Sequence, residues 1–138
     1  MLDPGSQACA GVGVNTKGLV VADGSGLSHD NRVTARQVVS LLHGVRSKDY
    51  YKVFKDSLPV AGIDGTLKKR FVSRKILVGK VLAKTGYISG VSALSGYVQK
   101  GKTVWSFSIL CNSFPARSLS RAKKLQEDIV NILYSSMP

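Results

Sequence analysis

Apolar side chains recur at Val38, Leu41, Leu42 and Val45, three and four residues apart, which is the spacing of one helix face. Thr34 stands just before this run and Gln37 three residues after Thr34, the pattern of a capping box. Val33 and Val38 flank the cap as a hydrophobic staple. The spacing predicts a helix that begins after Thr34. Ser47 opens a second, shorter helical stretch with Tyr50, Val53 and Phe54 inward, which Pro59 stops.

Period-two patterns dominate further on. Leu19 to Ala22 reads as a short strand that runs into Asp23-Gly24-Ser25-Gly26-Leu27-Ser28, a loop of turn residues. Ile76 to Ala83 reads as a strand leading into Lys84-Thr85-Gly86. Val91 to Gln99 reads as another. From Thr103 to Cys111, Val104, Ser106, Ser108 and Leu110 alternate with Trp105, Phe107 and Ile109. Lys100-Gly101-Lys102 is the hairpin turn between these last two. A final helix is predicted from about Ser118 to Tyr134. Ala122, Leu125, Ile129 and Ile132 form its buried stripe, with Lys123–Glu127 and Lys124–Asp128 as exposed pairs. Residues 1–18 are glycine-rich and read as irregular, and residues 59–75 as an extended connection. The order gives an α/β (α+β) class: an antiparallel sheet with packed helices.

At 138 residues the chain is expected to form one domain. Hydrophobic residues make up 43% and charged residues 20%, which excludes disorder. No apolar run approaches the ~18 residues of a membrane span, and residues 1–15 carry no signal-peptide pattern. Two cysteines, Cys9 and Cys111, with His29 and His43, are too few for a disulfide framework or a metal centre. No metal and no cofactor are expected. The net charge of +12 is uneven: residues 1–46 carry +1 and residues 47–138 carry +11. Such a half attracts polyanions, although much of it would be a solvated face.

Several motifs compete for the chemistry. Gly96 to Thr103 matches the phosphate loop G-x-x-x-x-G-K-[ST], but an alternating strand follows where that loop needs a helix. A hairpin is the better reading. Ser120-Arg-Ala-Lys123 matches S-x-x-K, yet a capping serine with a surface lysine accounts for it. Ser25 sits between glycines without the G-x-S-x-G spacing or a visible relay. Lys84-Thr85-Gly86 is more informative, because a lysine and a threonine on a strand can hold a carboxylate. The glycine leaves room for a peptide along the strand edge.

Three blocks then carry a resemblance: Val21 to Thr34 (VADGSGLSHDNRVT), Ser57 to Leu67 (SLPVAGIDGTL) and Ala83 to Val98 (AKTGYISGVSALSGYV). Their order and spacing resemble the C-terminal part of class C low-molecular-weight penicillin-binding proteins, the D-alanyl-D-alanine carboxypeptidase/endopeptidase family. The resemblance implies part of a penicillin-binding-protein/β-lactamase-like transpeptidase domain. It implies hydrolysis of D-Ala-D-Ala in peptidoglycan stem peptides through an acyl-enzyme on a serine, which β-lactams trap. Lys84, Thr85 and Gly86 would bind substrate, and the backbone N–H of Tyr87 would supply half of the oxyanion hole. The location implied for the full-length family is the cell envelope, periplasmic or extracytoplasmic.

The departure lies in the nucleophile. The family's S-x-x-K and S-x-N motifs precede the Asp23-Gly24-Ser25-Gly26 block, and nothing before that block matches either. Nucleophile and base are therefore expected to be absent from this chain, which reads as residues 1–138 of the C-terminal part of one domain and, alone, as inactive. Expected partners are peptidoglycan peptides, β-lactams once the domain is whole, and the missing N-terminal part or a second copy. An exposed apolar patch or marginal stability should accompany the missing part. The alternatives are a non-catalytic module for peptidoglycan or wall polymer and, less favoured, a basic nucleic-acid binder; no nucleic acid is expected.

Overall fold

The computed structural model describes residues 3–138. Helix α1 spans Pro4–Gly11, α2 Ala35–Gly44 and α3 Tyr51–Asp56. Strands β1 (Val81–Ile88), β2 (Val91–Lys100) and β3 (Thr103–Cys111) follow, and α4 (Leu119–Ser136) closes the chain. The three strands form one antiparallel sheet in the order β1-β2-β3. Val81 pairs with Val98, and Val98 in turn with Trp105.

Alternation puts the two sheet faces against different helices. Val81, Ala83, Leu94, Val98 and Phe107 pack with Val130, Leu133 and Met137 at the α4 end of the chain. On the other face Leu82, Tyr97 and Val104 pack with Val38 and Leu42 of α2 and with Tyr51 and Phe54 of α3. The Tyr97 hydroxyl donates to the Leu42 carbonyl at 2.7 Å, and its ring meets Tyr51 edge-on at 5.7 Å. Burial raises the Tyr97 pKa to about 12, so it stays a neutral donor.

The phosphate-loop match is a hairpin, as the alternation implied. Gly96 is glycine for a packing reason, because an added Cβ would lie 2.1 Å from the Leu82 carbonyl oxygen. The capping box of α2 is present, with Thr34 and Gln37 exchanging bonds at 3.2 and 2.9 Å.

Other expectations are corrected. Met1 and Leu2 lie outside the described residues, but residues 4–11 are helical rather than irregular. Asp3 caps that helix by accepting from the Ser6 N–H, and Pro4 occupies its first position. Residues 19–22 make a single bridge, Val20 with Arg32, in place of a strand. Tyr50 and Val53 face solvent, and Tyr51 and Phe54 take the inward positions. β1 starts at Val81, since Lys75–Leu77 is a turn of 3-10 helix that leaves Ile76 exposed.

The buried stripe of α4 is rotated. Leu125 and Ile132 are exposed, whereas Ala122, Gln126 and Val130 are buried. Gln126 bridges Arg70 and Ser92, accepting from the Arg70 guanidinium at 3.3 Å and donating to the Ser92 hydroxyl at 3.1 Å. Residues 59–75 are not extended: they fold inward and bury Ala61, Leu67, Arg70 and Phe71. Arg70 donates to Glu127 at 2.7 Å and to the Lys123 carbonyl at 2.8 Å, and Arg74 pairs with Asp128. The intrahelical pairs expected of Glu127 and Asp128 are thereby replaced.

Arg70→Ala leaves a largely buried carboxylate and Gln126 short of their partner. It should cost about 3 kcal/mol, the usual penalty for breaking one side of a buried pair. Urea unfolding should show a lower midpoint at constant slope. Arg70→Lys should recover less than half of the loss, because an ammonium cannot span three acceptors from that position.

Candidate functional site

β1 is an edge strand, and only half of its outer side is covered. The Ala61 N–H donates to the Val81 carbonyl at 2.9 Å, and the Ala83 N–H to the Pro59 carbonyl at 3.0 Å. Backbone groups of an antiparallel strand alternate in direction. The N–H and C=O of Thr85 and Tyr87 therefore face the same outer side as those of Val81 and Ala83. No backbone segment pairs with them among the described residues. The Lys84 ammonium sits at this opening and donates to the Thr85 carbonyl at 2.5 Å. Lys84 is exposed and in no ion pair among the described residues. An unpaired cation beside free strand donors suits a peptide carboxylate.

Thr85 points to the opposite sheet face from Lys84, and its hydroxyl donates to Thr66 at 3.0 Å. Gly86 opposes Ala93, and a Cβ there would come within 3.3 Å of the Ala93 methyl. The glycine thus keeps open the floor of a cleft of about 700 Å³. Gly86, Tyr87 and Ala93 form one wall and the 19–33 segment the other, including Asp23, His29 and Arg32. Val20, Val33 and Tyr87 line the cleft and are 45–50% exposed, but the most exposed apolar residues, Val53, Leu27 and Ile132, lie outside its lining, so exposed apolar surface is not gathered in one patch.

Asp23 organises the facing wall. Its carboxylate accepts from the Ser25 hydroxyl at 2.5 Å, the Asn31 amide at 2.7 Å, and the N–H groups of Gly26, Leu27 and Ser28 at 3.1–3.2 Å. The Ser25 and Asn31 bonds are the main cause of a pKa held down to about 2. Asn31 closes the loop by accepting from the Ala22 N–H at 2.8 Å.

The four residues singled out on β1 lie together. Ser120 and Lys123 do not join them. They stand on α4 around a separate pocket with Thr66, and no bond joins the two side chains among the described residues. Ser25 is spent as a donor to Asp23, and so acidic a carboxylate is a poor base. Sequence reading missed Thr66, which has no local signature, and gave no role to His29, which lines the cleft. Asp23 followed by Ser25, Gly26 and Ser28 is a turn pattern that does predict a carboxylate gathering backbone N–H groups.

A profile of the D-Ala-D-Ala carboxypeptidase 3 (S13) family matches residues 5–135, and the chain belongs to that family. It is 48% identical over 111 residues to the D-alanyl-D-alanine carboxypeptidase of Actinomadura sp. (strain R39), covering 77% of this chain and 20% of that one. It is 36% identical over 109 residues to carboxypeptidase DacB of Mycolicibacterium smegmatis, covering 74% and 24%. Penicillin binding protein 4 (dacB) from Haemophilus influenzae superposes with a TM-score of 0.81 at 25% identity, over 94% of this chain and 30% of that one. The chain thus spans about a fifth to a quarter of the curated relatives it matches. No helix among the described residues is long and apolar enough to cross a membrane.

The depressed Asp23 pKa fixes a pH window. A carboxylate held at about 2 against an ordinary 3.8 stabilises the loop fully above 3.8 and loses that effect as pH falls through 2. Amide resonances of Gly26, Leu27 and Ser28 should titrate together with a midpoint near 2. A common midpoint near 3.8 would show that the loop bonds do not form in solution.

Proposed function

We propose that this chain is the substrate-orienting part of a serine-type D-Ala-D-Ala carboxypeptidase domain acting on peptidoglycan stem peptides. The observation that carries the reading is the half-open edge of β1, with an unpaired Lys84 and an outward Tyr87 N–H. The Lys84 ammonium would hold the terminal carboxylate of a D-Ala-D-Ala peptide, joined by the Thr85 hydroxyl once it leaves Thr66, and the peptide would lie along the strand as one further strand. Gly86 keeps that approach open. The scissile carbonyl oxygen would receive the Tyr87 N–H as negative charge develops on it. The cleft beside Gly86 and His29 would take the part of the stem peptide that precedes the scissile bond.

The chemistry needs a second half. A serine hydroxyl must attack the carbonyl carbon while a base takes its proton, and that proton then goes to the departing D-alanine amine. Water next hydrolyses the ester and frees the serine. We assign both nucleophile and base to residues outside this chain, upstream of the Asp23 block. The same geometry would let β-lactams acylate the completed site. Hydrolysis of peptidoglycan peptides puts the working enzyme in the cell envelope.

Fluorescent penicillin tests this directly. The isolated chain should not label. The chain rejoined to an upstream segment carrying S-x-x-K and S-x-N should label stoichiometrically. In that protein Lys84→Ala should slow acylation about 100-fold, as loss of a charge-assisted contact of roughly 2.7 kcal/mol requires. Stoichiometric labelling of the isolated chain would overturn the assignment of the nucleophile. An unchanged rate in Lys84→Ala would overturn the role of the strand edge.

A further inference from the structure

In the positive half of the chain, charge converges on a concavity. Thr66, Lys69, Ser120, Lys123 and Lys124 surround a pocket of about 370 Å³, with Arg70 and Glu127 completing the lining. Two elements far apart in sequence build it: the turn that follows Gly65 and the first turns of α4. Their juxtaposition is fixed from within, because Arg70 bonds Glu127, Gln126 and the Lys123 carbonyl.

The ion pairs decide the sign of this pocket. On an isolated helix Lys123 would pair with Glu127 and Lys124 with Asp128. Here Arg70 takes Glu127 and Arg74 takes Asp128. Lys69, Lys123 and Lys124 are all exposed and in no ion pair among the described residues. The one carboxylate in the lining is already neutralised. Thr66 accepts the Thr85 hydroxyl, so its own O–H remains a donor, and Ser120 adds a second hydroxyl. The pocket therefore offers three ammonium groups and two hydroxyl donors.

We propose that this pocket is a subsite for the phosphate groups of a phosphodiester-linked polyol. A tetrahedral phosphate, with oxygens on every side, uses several converging donors better than a planar carboxylate does. The lining contains no aromatic ring. Bases would have no surface on which to stack, which argues against a nucleic acid as the ligand. The subsite is independent of Lys84, which lies on the other side of β1 and needs no nucleophile to be tested.

The test is calorimetric titration of the 138-residue chain with a short poly(glycerol phosphate), at several salt concentrations. Replacing Lys69, Lys123 and Lys124 with Gln should make the slope of log K against log salt shallower by about 2, three contacts at roughly 0.7 each. At about 100 mM salt that corresponds to about 100-fold weaker binding. Replacing Lys17, Lys80 and Lys102, none of which lines the pocket, removes the same charge and should change binding about twofold or less. Circular dichroism should match across all three proteins, since the substituted lysines are exposed. Equal losses in the two triple variants would reduce the effect to diffuse charge and overturn the subsite. So would absence of binding by the unaltered chain, or an oligodeoxythymidylate of equal charge binding more tightly than the polyol phosphate.

Discussion

The contact on which most else depends is the burial of Arg70 against α4. Its guanidinium reaches Glu127, the Gln126 side chain and the Lys123 carbonyl, and only 8% of the residue remains exposed. A buried cation is tolerable only when paired and fully hydrogen-bonded, so the three acceptors leave Arg70 little freedom of position. The neighbouring Phe71 shows how firmly the segment is held. It has φ 63°, a left-handed conformation that an aromatic residue adopts only when its surroundings impose it, and its side chain is fully buried. Arg70 thus pins the 59–75 segment between the sheet and α4. That segment supplies Thr66 to Thr85 and Pro59 to Ala61 to the outer side of β1.

The same pinning explains why the edge of β1 is open where it is. An unpaired strand edge invites association and is usually blunted. Here the first half is paired by Pro59–Ala61, and the chain then turns away through Gly62, which has φ 71°. The opening that remains begins at Lys84 and ends with the strand at Ile88. A short gap of this kind is too brief to nucleate sheet growth. The exposed cation of Lys84 stands beside it, and a charge at a strand edge disfavours pairing with the neutral backbone of another protein.

Local signals carried β2, β3, the capping box of α2 and the Lys-Thr-Gly edge, because each depends on residues adjacent in sequence. The losses share another cause. The buried face of α4 is set by Gln126, whose partners Arg70 and Ser92 are 56 and 34 residues away, so a hydrophobic stripe cannot locate it. The 59–75 segment looks extended because its glycines and lysines are locally polar, yet Leu67, Phe71 and Arg70 turn inward together once α4 is present. Helix α1 was hidden by the glycine content of residues 1–18, which outweighed the Asp3-Pro4 start signal. Thr66 and the unpaired state of Lys123 were illegible for the same reason as Gln126: each is decided by a partner supplied from another element.

The acidic residues show how the surplus of positive charge becomes directional. Asp3 caps α1, Asp23 knots the cleft loop and Asp49 accepts from the Tyr50 N–H. Asp56 pairs with Lys52, and Asp64 accepts from the Val60 N–H. Glu127 and Asp128 are taken by Arg70 and Arg74. Seven of the 8 acidic residues are therefore committed to local structure, and among the described residues only Asp30 has no such bond. Cations outnumber them, and among those left over Lys84 stands at the open strand edge, while Lys69, Lys123 and Lys124 line one pocket. A net charge of +12 would by itself attract any polyanion at long range. Internal consumption of the carboxylates, rather than the number of lysines, is what turns that general attraction into two discrete anion-receptive places on either side of β1.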